Sequence, residues 1–188
     1  QEAGRRAADL REVPCPDRFR IMIELLGKDP DSLAEDFPDR LARTHMGRLE
    51  PAMEVRPENR GVLEWAGANG YRVAMISNFD HAPTLHRCLE RHGLHDTFEA
   101  VVVSDDVGWR KPHPRIFEHA FEALGIEPSE GLFIGDRLDL DVDGAAGVGM
   151  DAVWVDTGRY HWSPRHAEPR HTVQSLDQLV PILTTGTA

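Results

Sequence analysis

Apolar positions recur at helical spacing early in the chain and give way to short unbroken runs after Arg56. Phe19, Met22, Ile23 and Leu26 fall one helical turn apart, and Gly27 closes that run. Leu33, Phe37, Leu41 and Thr44 continue near the same period, with Pro38 breaking or restarting the helix. No strand pattern occurs before Arg56.

From Pro57 the pattern alternates. Pro57 opens a helix carrying Val62, Leu63, Trp65 and Ala66, and Asn69-Gly70 ends it. Val73-Ala74-Met75-Ile76 then reads as a strand, and Leu85, Cys88 and Leu89 mark a helix stopped by Gly93. Ala100-Val101-Val102-Val103 is a second strand. A helix from Pro114 to Gly125 carries Ile116, Phe117, Ala120, Phe121 and Leu124 on one side. Leu132-Phe133-Ile134, a short Gly/Ala-rich helix, Ala152-Val153-Trp154-Val155 and a final helix with Leu176, Leu179 and Ile182 complete the series. Continuous apolar strands alternating with amphipathic helices predict an α/β fold, a doubly wound parallel sheet covered on both faces. Ligands in such sheets bind beyond the carboxyl ends of the strands. Three polar stretches sit there: Ser77-Asn78, Ser104-Asp105-Asp106 and Gly135-Asp136.

Composition narrows the function. The 188 residues suit one domain, or a core with a small appendage, and 40% hydrophobic with 28% charged residues is ordinary globular usage. No apolar run approaches the roughly 20 residues that span a bilayer, and no basic-then-apolar leader opens the chain. A net charge of −11 argues against nucleic acid as a partner. Cys15 and Cys88 form no CxxC pair, so the expected setting is a reducing cytoplasm. Only two of the 21 basic residues are lysines, Lys28 and Lys111.

Four aspartates crowd the stretch from Gly135 to Gly144: Asp136, Asp139, Asp141 and Asp143. Two carboxylates about 4 Å apart repel by roughly 4 kcal/mol at an effective dielectric near 20. A hard cation such as Mg²⁺ or Ca²⁺ would relieve that, although aspartates at a helix N-terminus are favourable on their own. The EF-hand-like Asp139-x-Asp141-x-Asp143-Gly144 fails because Met150 stands where a bidentate Glu belongs. Gly144, Gly147 and Gly149 have the wrong spacing and place for a dinucleotide fingerprint, and no GxxxxGK(S/T) loop exists. Lys111 precedes a helix inside a rigid Pro-x-Pro context, and Ser77-Asn78 offers a hydroxyl and an amide at a strand end. Each alone also fits a surface lysine or a turn. The loop Arg159 to His166 reads as an ordinary exposed segment.

Taken together, the hydroxyl after a strand, the lysine opening a helix and the strand-Gly-Asp-x4-Asp sequence resemble motifs two, three and four of the haloacid dehalogenase (HAD) superfamily. Ile76-Ser77-Asn78-Phe79-Asp80 and Gly108 to Phe117 resemble its phosphatase-like subgroup related to N-acylneuraminate-9-phosphatase. The resemblance covers residues 55–158, roughly half the chain. It implies that Ser77 binds the transferring phosphoryl group with Asn78 beside it. It also implies that Lys111 holds the nucleophile and phosphate charges together, and that Asp136 and Asp141 position Mg²⁺. The family nucleophile is an aspartate that forms an aspartyl-phosphate, with a second aspartate two residues on as acid and base.

That aspartate pair is where the sequence departs. The family's DxDxT/V motif ends the first strand, and nothing between Gln1 and Arg56 matches it. Asp139-Leu140-Asp141-Val142 has the paired aspartates but already occupies the fourth motif. The expectation is a helical cap region over residues 1–54, truncated at its N-terminal side, and a core over 55–188 that lacks its first strand. Such a chain would be inactive and unable to fold natively alone. It should show an empty slot between the strands ending at Ser77 and Gly135, or a strand from elsewhere filling it. The favoured function is Mg²⁺-dependent hydrolysis of a small phosphorylated metabolite. A metal-free 2-haloacid dehalogenase and a catalytically inactive HAD-like binding protein are the alternatives.

Overall fold

Parallel pairing organises the strands, and the computed structural model describes residues 10–185. The part of the expected cap before residue 10 lies outside the described residues. Two helices open the described chain: α1 (Cys15–Leu25) and α2 (Phe37–Leu49), the latter with Pro38 in its first turn, where a missing N–H costs nothing. They pack on each other around Cys15, Ala42 and Met46, with Phe19, Leu49 and Phe79 at the edge of that cluster. The apolar stripe expected on α1 is only partly a core face. Ile23 is buried, whereas Met22 and Leu26 are 45% and 76% exposed.

The α/β part follows as α3 (Pro57–Ala68), β1 (Ala74–Ser77), α4 (Ala82–Arg91), β2 (Ala100–Val103), α5 (Ser104–Val107) and α6 (Pro114–Leu124). β3 (Leu132–Gly135), α7 (Asp143–Gly147), β4 (Asp151–Val155), β5 (His171–Val173) and α8 (Leu179–Thr184) complete it. Proline opens α3 and α6, and a left-handed Gly125 (φ 62°) ends α6. The sequence pattern did not predict β5, α5 or the single π-helical turn Leu138–Val142. The last α-helix begins at Leu179, after a 3₁₀ turn over Leu176–Gln178.

The strands form two parallel sheets. β1 pairs with β2, and β3, β4 and β5 pair in that order. β1 and β3 do not hydrogen-bond to each other. A cleft of about 980 Å³ lies between them, lined by Ala74, Met75 and Ile76 on one side and Phe133, Ile134 and Gly135 on the other. Helices cover both faces. Ile116, Phe117 and Ala120 of α6 pack with Val102, Phe133 and Trp154, while Val62 of α3 and Leu179 of α8 pack with Val153 and Val173. Burying one such large side chain stabilises by about 1.5–3 kcal/mol, so the α6 face anchors both sheets despite the cleft. Among the described residues no helix is long and apolar enough to cross a membrane, and Cys15 and Cys88 are free thiols.

Candidate active site

The polar strand ends converge at the mouth of this cleft. Lys111 reaches across it. Its ammonium donates to the Ile76 carbonyl of β1 at 2.9 Å and lies 2.8 Å from Asp141 Oδ1, in the turn that follows β3. Its stem rests on Phe133 of β3, with Nζ 5.1 Å from the ring centroid. Lysine stems lie readily on apolar surface while the charged head stays with polar partners. Both charges are withdrawn from water, with side chains 11% and 5% exposed, so their attraction is screened far less than at a surface.

Asn78 does not present its amide to the cleft. Its Oδ1 accepts from the Lys111 N–H at 2.8 Å and its Nδ2 donates to the Lys111 carbonyl at 3.1 Å. That two-point clasp fixes the backbone from which the lysine projects. Ser77, the residue before it, is half-buried at the end of β1, and its hydroxyl has no hydrogen bond among the described residues.

The four aspartates separate by role. Asp141 is 4% exposed; its Oδ2 accepts from the Arg137 N–H at 2.9 Å, and its buried Oδ1 is partnered by the Lys111 ammonium. Asp136 lines the same cleft, and no side-chain hydrogen bond engages its carboxylate among the described residues. Asp139 instead pairs with the Arg137 guanidinium at 3.0 Å. Asp143 accepts from the Ala167 N–H and contacts His166 Nδ1, both at 2.8 Å, and so pins the loop between β4 and β5. Gly135 is required where it stands, because a Cβ there would collide with the Asp141 carboxylate.

Asp136 and Asp141 are hard oxygen donors: the Asp136 carboxylate has no side-chain hydrogen bond among the described residues, and Asp141 turns its buried Oδ1 to the Lys111 ammonium. They fit Mg²⁺, which takes one or two carboxylates and fills its remaining positions with water and phosphate oxygens. Among the described residues no group of three metal-ligating side chains converges.

Two buried acids beside the site were given no role by the sequence reading. Asp80, 9% exposed, forms an ion pair with Arg18 of α1. Its backbone carbonyl accepts from the Cys15 N–H at 2.7 Å. Burial, reinforced by the Asp80 carboxylate, pushes the Cys15 thiol up to about 11, so it is protonated and unreactive at neutral pH. Glu12 binds Arg110 and Ser104. Asp80 entered the sequence reading only as the last residue of the Ile76–Asp80 stretch, and nothing local distinguishes Glu12 from the other members of a set of 32 acidic residues.

The chain is similar to known proteins in sequence and fold. A family model described as haloacid dehalogenase-like hydrolase matches residues 4–149. The chain is 31% identical over 157 residues to the glyceraldehyde 3-phosphate phosphatase of Methanopyrus kandleri, covering 83% of this chain and 64% of that protein. It is 40% identical over 141 residues to the phosphoserine phosphatase of Thermus thermophilus, covering 74% of this chain and 53% of that one. The crystal structure of a HAD phosphatase from Thermococcus onnurineus superposes with a TM-score of 0.66 at 31% identity, over 89% of this chain and 79% of that one. The chain therefore spans between 53% and 64% of the length of these two curated relatives.

Proposed function

Because the chain belongs to the haloacid dehalogenase-like hydrolase family, we propose that it serves as a Mg²⁺-dependent phosphatase of a small phosphorylated metabolite in the cytoplasm. The observation that most supports this reading is Lys111, held by Asn78 and set between the β1 carbonyl and Asp141 at the cleft mouth. A compact ammonium there neutralises phosphate charge, and phosphoryl transfer depends mostly on positioning and charge neutralisation.

In this reading the Ser77 hydroxyl donates to a non-bridging phosphate oxygen. Lys111 binds a second oxygen and keeps the phosphoryl group close to the nucleophile. Asp136 and Asp141 hold Mg²⁺, which when bound supplies Lewis-acid charge to the phosphate. The nucleophile is an aspartate of a DxDxT/V segment, a motif absent from residues 1–188; the segment lies as a strand between β1 and β3. Its carboxylate oxygen bonds to phosphorus as the ester P–O bond breaks, and the second aspartate gives the leaving alkoxide its proton. Water, deprotonated by that same aspartate, then releases inorganic phosphate and restores the carboxylate.

The test is a panel of phosphomonoesters and 2-haloacids assayed on the complete gene product with Mg²⁺ and with excess EDTA. Phosphate release that EDTA abolishes is the expected result. Halide release that survives EDTA would assign the protein to the dehalogenases. No turnover of either class, with Mg²⁺ still bound, would leave the non-catalytic binding protein.

A further inference from the structure

Glu12 precedes the helical region, yet its side chain is 1% exposed and lies within the core of the α/β part. A carboxylate out of water needs charge and hydrogen bonds around it, and three groups supply them. The Arg110 guanidinium forms an ion pair with Oε2, the Ser104 hydroxyl donates to the same oxygen, and the Val13 N–H donates to Oε1 at 2.8 Å. The backbone around Glu12 is tied to the same place. Its N–H donates to the Gly108 carbonyl at 3.0 Å, and the Arg110 N–H donates to the Leu10 carbonyl at 3.0 Å.

These contacts close into a ring. Ser104, fully buried, accepts from the Phe79 N–H at 2.9 Å. Phe79 follows Asn78, whose amide clasps Lys111, and Lys111 follows Arg110, which returns to Glu12. The ring therefore joins the loop that follows Ser77 to the loop that carries Lys111, and Glu12 is its one member from outside those loops and α5. A buried ion pair adds little net stability over apolar packing, and its best-attested use is to fix one register among alternatives.

We propose that Glu12 is a positioning residue for Lys111: through Arg110 and Ser104 it holds the lysine loop against the Ser77 loop and so fixes where the ammonium stands. The functional weight of this rests on the phosphatase reading, but the ring and its test do not require turnover.

The scarcity of lysine gives a direct readout. Lys28 is exposed, Lys111 is withdrawn, and there are no others. Competitive acylation of the complete gene product by an amine-reactive reagent, read by mass spectrometry, gives the reactivity of Lys111 against Lys28 in one sample. Alkylation of Cys88, buried in α4 away from the ring, reports general loosening. In Glu12→Gln, Lys111 should react at least about tenfold faster relative to Lys28 as its loop opens locally, with Cys88 unchanged. Should that variant fail to fold, the Glu12→Gln/Arg110→Gln pair, which leaves no buried charge unmatched, is read in the same way with the same expectation. Lys111 staying protected, or Lys111 and Cys88 becoming reactive together, would overturn the proposal and leave Glu12 a structural residue. A phosphatase assay that fails while Lys111 alone loosens would retire the phosphatase reading and leave the positioning role intact.

Discussion

Lys111 is the residue on which the site turns, and its surroundings say what would replace it badly. It fits between a carbonyl at 2.9 Å and a carboxylate oxygen at 2.8 Å. A planar guanidinium fork cannot occupy that space as a point charge does. Lys111→Arg is expected to lower kcat/KM of the complete gene product by at least about tenfold, or about 1.4 kcal/mol; wild-type kinetics would remove Lys111 from the site. Ser77, Lys111, Asp136 and Asp141 stood out as candidates because each follows or precedes a strand or helix marked by apolar runs, Gly or Pro. The work of Asn78 did not. Its amide is engaged by a backbone 33 residues away, a contact that no local pattern encodes. Asp143 was equally opaque, since its partner His166 is 23 residues on.

At the scale of elements, the helices with Pro at the start and Gly at the end fell where the pattern placed them, because those residues act locally on the backbone. β5 spans three residues, too few for alternation to show. The α1 stripe misled because periodicity marks a face without saying what covers it. Close packing between elements sets a sharper test at Gly144 of α7. A Cβ there would stand 2.7 Å from Phe117 Cζ and 3.2 Å from the Pro112 Cα. Phe117 is fully buried and Pro112 is backbone beside Lys111, so neither yields easily. Gly144→Ala is expected to destabilise the protein by about 1–3 kcal/mol, seen as a lower urea midpoint. An unchanged midpoint would mean that the acidic turn and the lysine loop are less tightly packed than described.

For the whole molecule, the division into two parallel sheets with a cleft between β1 and β3 agrees with the expectation of a slot there. The family relationship gives that slot its meaning. β4 is paired on both sides and β1 and β3 on one, so amide exchange should be at least about 100-fold slower in Asp151–Val155 than at the cleft edges. Equal protection of β1 and β3 would show the cleft closed in solution. The central claim is that the two half-sites on either side of the cleft act as one Mg²⁺-assisted phosphate site. Its most direct measurement is calorimetric titration of Mg²⁺ into the complete gene product in the presence of inorganic phosphate, for the wild type and for Asp136→Asn. Saturable Mg²⁺ binding that weakens at least about tenfold, or about 1.4 kcal/mol, in Asp136→Asn is the expected result. Identical isotherms for the two proteins would contradict it.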